Sequence, residues 1–176
     1  MPNIAALTAK HNSKILKAAN PPVQDNVRCN CNDLTTCPLP GKCQIQNVVY
    51  QAITSTTSGE TKSYVGVASN FKARYYNHTS SFRHSDKRKK TKLSEYIWTH
   101  KDKNCGEMPQ LKWNIIGKAP RYSPVTNVCQ LCLAEKYVIL FKPELAQLNS
   151  RNELFSSCRH KNSILLIPKE NPLDGG

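Results

Sequence analysis

The sequence predicts a small α/β (α+β) domain built on a mixed sheet of about three strands flanked by helices. Three observations predict it. NVVYQAIT (47–54) and SYVGVAS (63–69) are β-branched runs separated by the polar, glycine-containing STTSGETK, as in a hairpin. Segments 70–83, 93–103 and 129–141 carry apolar residues at helical spacing. QLKWNIIGK (110–118) returns to a strand pattern between the second and third of these. The order hairpin, helix, helix, strand, helix is that of a two-layer domain.

Upstream, residues 3–18 read as a short helix with Ile4, Leu7, Ile15 and Leu16 on a polar background, ended by Pro21-Pro22. Residues 1–28 are therefore assigned as a helical connector. Residues 29–46 contain CNCNDLTTCPLPGKC, a cysteine-rich loop punctuated by Pro38, Pro40 and Gly41. The main domain is expected over 47–167 and a tail over 168–176. RHSDKRKKTK (83–92) is a charge run between two helices, and Pro143 stops the helix at 129–141.

Lys and Arg number 25 against 12 Asp and Glu in 176 residues, a net charge of +13. That excess favours a polyanionic partner, nucleic acid or an acidic membrane face. No run approaches the ~18 apolar residues of a spanning helix. The first 20 residues lack the apolar core and cleavage site of a secretory signal, so a membrane or secreted setting loses support. The NHT at Asn77 is accordingly read as a chance glycosylation match.

Eight cysteines stand at Cys29, Cys31, Cys37, Cys43, Cys105, Cys129, Cys132 and Cys158. In a reducing compartment this density points to metal, with disulfides or buried thiols as the alternatives. Cys31, Cys37 and Cys43 are spaced more loosely than a usual zinc knuckle. Cys129 and Cys132 form a C-x-x-C where a helix N-terminus favours thiolate. Cys158 and His160 are a third pair. These seven are the candidate structural zinc ligands, in groups the spacing leaves open. The expectation is that zinc staples the N-terminal loop to the main domain and that the C-x-x-C fixes the helix of Glu135. Cys105 is expected as a free thiol. A redox role for the C-x-x-C is the competing reading.

Strand alternation puts Tyr50 on a face with Val48 and Ala52, and Tyr64 on a face with Gly66 and Ala68. Antiparallel pairing brings both phenols to one side, and Gly66 lets a bulky group approach the sheet. Arg74 and His78 follow one helical turn apart on one helix face. Glu135 is the one acid inside LCLAEKYVIL, a costly place for a carboxylate unless a cation or polar cavity receives it. Taken singly, each of these is more ordinary: strand tyrosines as packing, RYYNH as a solvated helix face, Glu135 at a helix edge.

Together they resemble the GIY-YIG endonuclease family. VVY (48–50) stands where the family has its first motif, departing from GIY at two positions but keeping the tyrosine. YVG (64–66) stands for YIG, and Arg74 in FKARYYNH for the family arginine. His78 matches a histidine of some branches, Glu135 the metal-binding glutamate, and Asn149 in FKPELAQLN the late asparagine. The match covers about residues 47–150. CNCNDLTTCPLPGKC, CQLCLAEK and SSCRHKN, with HNSKIL (11–16), narrow the resemblance to the endonuclease part of Penelope-like retroelements, which follows a reverse transcriptase.

The resemblance implies hydrolysis of DNA phosphodiester bonds with one magnesium (or manganese) ion on Glu135. It implies a nuclear setting, a reverse transcriptase as partner domain, and a nick that primes reverse transcription. Tyr50 would be the general base, helped by His78, its phenol lowered from ~10 by Arg74 or the metal. Arg74 would neutralise charge at phosphorus, Tyr64 would position water or phosphate, and Asn149 would hold the site together.

Arg83, Lys87, Arg88, Lys89, Lys90 and Lys92 would track the DNA backbone without reading sequence. Their bland alternative is a solvated loop or a nuclear-import signal. Two further readings of the chain remain at this stage. One is a zinc-stabilised nucleic-acid-binding module without catalysis; the other is a secreted, disulfide-stapled basic protein.

Overall fold

The computed structural model describes residues 3–19, 29–160 and 165–166. Pro21-Pro22 and the expected tail at 168–176 lie outside the described residues. Helix α1 spans Ile4–Ala19, close to the expected 3–18. Strands β1 (Gln46–Ser55) and β2 (Thr61–Asn70) form the hairpin, closed by a bond from Thr56 N to Glu60 O of 2.9 Å. Gly59 supplies the positive φ that the turn requires.

Helices α2 (Phe71–Arg83) and α3 (Lys92–Lys103) follow, each begun by a side-chain cap. Asn70 accepts from Ala73 N and Thr91 from Ser94 N, satisfying amides that the helix itself leaves free. Between them the basic run is not an open loop, because Ser85–Lys87 forms a 3-10 turn. Strand β3 spans Gln110–Lys118.

The sheet order is β2-β1-β3 and both pairings are antiparallel, so the expected mixed sheet is corrected. The helical crossover does make β3 run parallel to β2, but β1 lies between them and pairs with each. A short ribbon of β4 (Tyr122–Ser123) and β5 (Val128–Cys129), which the sequence reading lacks, leads into α4 (Gln130–Phe141). Two 3-10 turns, Pro143–Leu145 and Arg151–Phe155, complete the described chain up to the cysteine and histidine near 160.

Period-two alternation gives the sheet two faces of different character. The front face buries Val48, Tyr50, Ala52, Tyr64, Ala68 and Trp113 under Phe71, Phe82, Leu93 and Ile97 of α2 and α3. The rear face buries Val49 and Val65 against Leu131 and Ile139 of α4, with Tyr122, Cys129 and Ala146. The cysteine-rich loop is packed on the domain: Leu39 and Ile45 lie against the front core, and Phe71 N donates to Ile45 O at 3.0 Å. Among the described residues, no helix is long and apolar enough to cross a membrane.

Candidate functional site

Register decides which side chains meet on the front face. Tyr50 lies opposite Gly66, and Tyr64 opposite Ala52. The Tyr50 ring lies over Gly66, where any Cβ would overlap its hydroxyl. The two phenol rings are 6.5 Å apart. From α2, one turn supplies both remaining groups. His78 Nε2 is 2.7 Å from Tyr50 Oη, and Arg74 Nε donates to the same oxygen at 3.1 Å.

Rings of Phe71, Phe82 and Trp113 enclose Tyr50 and His78, while Arg74 stays half-buried. Tyr50 is 0% and His78 2% exposed. The expected lowering of the Tyr50 pKa by Arg74 is corrected. Burial outweighs the help from Arg74 and pushes the phenol up to about 12. Tyr64 rises as well, burial first and the Tyr50 neighbour second. Burial, with Arg74 adding to it, holds His78 down at about 3, so the imidazole is neutral.

Glu135 projects from α4 toward the outer edge of β2. Burial first, and then the nearby charge of Glu153, push its carboxyl up to about 7; Arg74, Lys136 and the Val67 amide pull the other way. Sequence reasoning misses Glu153. The one available signal is its place three residues after Ser150, a capping-box pattern that reads as local helix initiation.

Asn149 occupies the same edge. Its Oδ1 accepts from Val65 N at 2.8 Å, and its Nδ2 donates to Val65 O at 2.9 Å and to Glu153 Oε2 at 2.7 Å. One side-chain amide thus takes the place of a missing neighbour strand. Leu148 N continues the pairing onto Ser63 O at 2.9 Å.

The basic residues divide into two kinds. Arg83, Lys89 and Lys90 are exposed. Arg88 pairs with Asp102 at 2.7 Å, Lys92 with Glu95 at 2.8 Å, and Lys87 donates to Ser80 Oγ at 3.0 Å.

The cysteines form two separate clusters, so the expected zinc staple between loop and domain is corrected. Cys29, Cys31, Cys37 and Cys43 make one; Cys129, Cys132, Cys158 and His160 make the other. Within each, all ligand atoms lie within 4.8 Å of one another. In the first, the sulfur pairs Cys43–Cys29, Cys29–Cys37 and Cys31–Cys43 are 3.2, 3.5 and 3.7 Å apart. These separations are too long for disulfides and near the ~3.8 Å edge of a tetrahedron of Zn–S bonds. Four thiolates, or three thiolates with one imidazole, are the donor sets of structural zinc, and either cluster can hold such an ion.

Cys29, missed as a ligand from sequence, completes the first cluster. Its signal is the C-x-C at 29–31, a spacing tighter than a usual knuckle. Lys72 of α2 donates to Cys31 Sγ at 3.2 Å and ties the loop to the helix of Arg74. At Cys129 and Cys132 burial pushes both thiols up, outweighing the helix N-terminus expected to favour thiolate. Cys105 is exposed, in neither cluster.

Comparison with known protein families, with curated proteins and with solved structures finds no match to this chain.

Proposed function

We propose that the chain is a metal-dependent DNA endonuclease of the GIY-YIG type, resembling the endonuclease part of Penelope-like retroelements. On this reading it acts in the nucleus, nicking target DNA so that a partner reverse transcriptase can prime from the cut. The observation that carries the reading is the bonded trio of buried Tyr50 and His78 with part-buried Arg74. Packing alone would fill the centre of an aromatic core with apolar groups, since each buried polar group must be compensated.

Magnesium or manganese fits the Glu135 side of the site. The donors there are hard carboxylate oxygens, and a cation would relieve the repulsion between Glu135 and Glu153. Glu135 would hold the ion, which when bound polarises the phosphate and stabilises the leaving oxygen.

The chain's own groups account for the proton transfers. Arg74 Nε–H already donates to Tyr50 Oη. The relay uses the tautomer in which the phenolic proton points to His78 Nε2 and the imidazole proton sits on Nδ1. For Tyr50 to take a proton from the attacking water and pass its own to His78, DNA binding must open a path to the phenol, which is closed to water in the free protein. A phosphate seated on Arg74 offsets the guanidinium charge that helps hold His78 low, making the imidazole a better acceptor. Arg74 neutralises charge developing at phosphorus, and Tyr64 positions the phosphate or water.

Arg83, Lys89 and Lys90 meet the DNA backbone directly. Arg88 and Lys92 exchange exposed ion pairs, worth only about 0–1 kcal/mol each, for phosphates.

The test is nicking of supercoiled plasmid with magnesium by the protein and its Glu135→Ala variant, at equal zinc content and equal DNA binding. Cleavage lost in the variant supports the reading. DNA binding with cleavage by neither overturns it in favour of a zinc-stabilised nucleic-acid-binding module.

A further inference from the structure

The two clusters differ in what they tie together. Cys29 to Cys43 close a loop on itself. Cys129 is the N-cap of α4 and Cys132 lies in its first turn, whereas Cys158 and His160 come from the far end of the segment that leaves α4 at Lys142. Cys132 Sγ is 3.2 Å from His160 Nδ1 and 3.6 Å from Cys158 Sγ, and Cys129 Sγ is 3.6 Å from His160 Nδ1. The segment thus starts at the C-terminus of α4 and is pinned at its N-terminus.

Between those two points it covers the open edge of β2. Ser63 O and Val65 N and O point away from β1, and all three are engaged from this side. Leu148 N takes Ser63 O, the Asn149 amide takes both groups of Val65, and α4, which carries Glu135, packs against β2 beside Val67. Residues 65 and 67 are about 7 Å apart along a strand. The groups beside them are therefore neighbours.

Glu153 connects the edge to the cluster. Its Oε2 accepts from Asn149 and its Oε1 from Ser150 N at 3.2 Å, and five residues later comes Cys158. Glu135 is three residues past Cys132 on the same helix. Besides the cluster, Lys136 Nζ donates to Ser156 O at 2.8 Å across an exposed contact, and Leu154 lies at the rim of the rear core.

We infer that metal bound by Cys129, Cys132, Cys158 and His160 is the clasp that seats Asn149, Glu153 and Glu135 together on the edge of β2. The Cys29 cluster has no part in this. It shapes the N-terminal loop and touches α2 through Lys72. Glu153 acts as a positioning residue through Asn149. The inference goes beyond the nuclease reading and does not depend on it.

The experiment follows zinc content and hydrogen exchange at the Val65 amide, which points off the sheet edge and is held by Asn149 Oδ1. The proteins are the wild type, His160→Ala, His160→Cys and Cys31→Ser. The wild type should carry two zinc ions, one per cluster. His160→Ala should lose one and exchange Val65 at least ~100-fold faster, because the amide then opens locally. His160→Cys, which restores four soft ligands, should keep both ions and hold Val65 within ~3-fold of wild type. Cys31→Ser should lose one ion and leave Val65 equally protected.

Val65 protected in a His160→Ala protein that has lost its ion overturns the inference. So does Val65 exposed equally by Cys31→Ser. If His160→Ala does not fold, a chelator titration of Cys31→Ser takes its place: exchange at Val65 must rise in step with release of the remaining zinc, and release without exchange refutes the clasp. None of these readings uses DNA cleavage, so an inactive but clasped protein would count against the nuclease alone.

Discussion

The front face of the sheet buries a phenol and an imidazole among aromatic rings, where the imidazole and a half-buried guanidinium both bond to the phenol oxygen, whereas the rear face buries aliphatic side chains and thiols. Both faces come from the same three strands, and β1 feeds them alternately through Tyr50 and Val49. The difference teaches what each face is for. A rear position gains stability from every buried methylene. The front trio gains little, because each hydrogen bond made inside replaces one made to water. Substitutions on the rear should therefore change stability first, and substitutions on the front should change activity first.

The largest stability effect is expected at Leu131, fully buried between α4 and the rear face. Leu131→Ala should cost about 2–5 kcal/mol by urea unfolding. The remaining folded protein should keep the cleavage rate of wild type. A specific loss of rate in folded Leu131→Ala would erase the contrast between the faces. The counterpart on the front is Tyr50→Phe. It should slow plasmid nicking at least ~100-fold, a barrier change of about 2.7 kcal/mol, with DNA affinity unchanged. Its effect on stability should stay near 1–3 kcal/mol, because His78 and Arg74 lose a shared partner.

Two glycines give a sharper pair. Gly66→Ala drives a methyl group into the Tyr50 hydroxyl on the front face. Overpacking of that kind costs about 1–3 kcal/mol, and the displaced ring should take nicking with it. Gly117→Ala on the rear meets Val49 at 3.7 Å, an ordinary contact. It should unfold within about 0.5 kcal/mol of wild type and nick normally. Equal losses of nicking in the two variants would mean that sheet rigidity, rather than the position of Tyr50, controls the reaction.

The two faces are unequally legible in the sequence. Tyr50, Tyr64, Arg74 and His78 meet because of spacings of two and of four, and those periods are visible in a bare string once the hairpin is recognised. The strand and helix bounds lie within a residue or two for the same reason. The rear and the edge depend on contacts that no period encodes. Val65 meets Asn149, and Cys132 meets Cys158, across long stretches of chain. Glu153 looks like a helix starter because its tie to Ser150 is local while its tie to the edge runs through Asn149. Strands β4 and β5 are two residues each, too short to alternate. The phenol's pKa is misjudged from sequence because Arg74 is visible there and the depth of burial is not.

The smallest effect tests the two faces through protons. His78, on the front, has its pKa depressed to about 3 from 6.5. It is neutral in both states above pH 6.5, and the unfolded chain binds the extra proton as pH falls below that value. Its contribution therefore destabilises the fold on acidification, by up to about 1.4 kcal/mol per pH unit. Glu135, reaching the sheet edge from the rear helix, has its pKa raised to about 7 from 4.5. The folded state binds its proton first as pH falls, so its contribution is fully present below 4.5 and is lost as pH rises through 7, with a slope of opposite sign. Between pH 4.5 and 6.5 the two oppose, and Asp33 and Glu95, whose pKa values are lowered, titrate below this window. In zinc-loaded wild type without added magnesium these two slopes cancel there, and the slope that remains by urea unfolding belongs to the zinc ligands, His160 among them, which take up protons as unfolding releases the metal. Relative to wild type, Glu135→Gln should expose the front-face slope, losing more stability toward pH 4.5. His78→Gln should expose the edge slope and lose less than wild type. Parallel curves for the two variants would mean that neither group is held as the geometry requires, and the chemical contrast between the faces would reduce to one of shape.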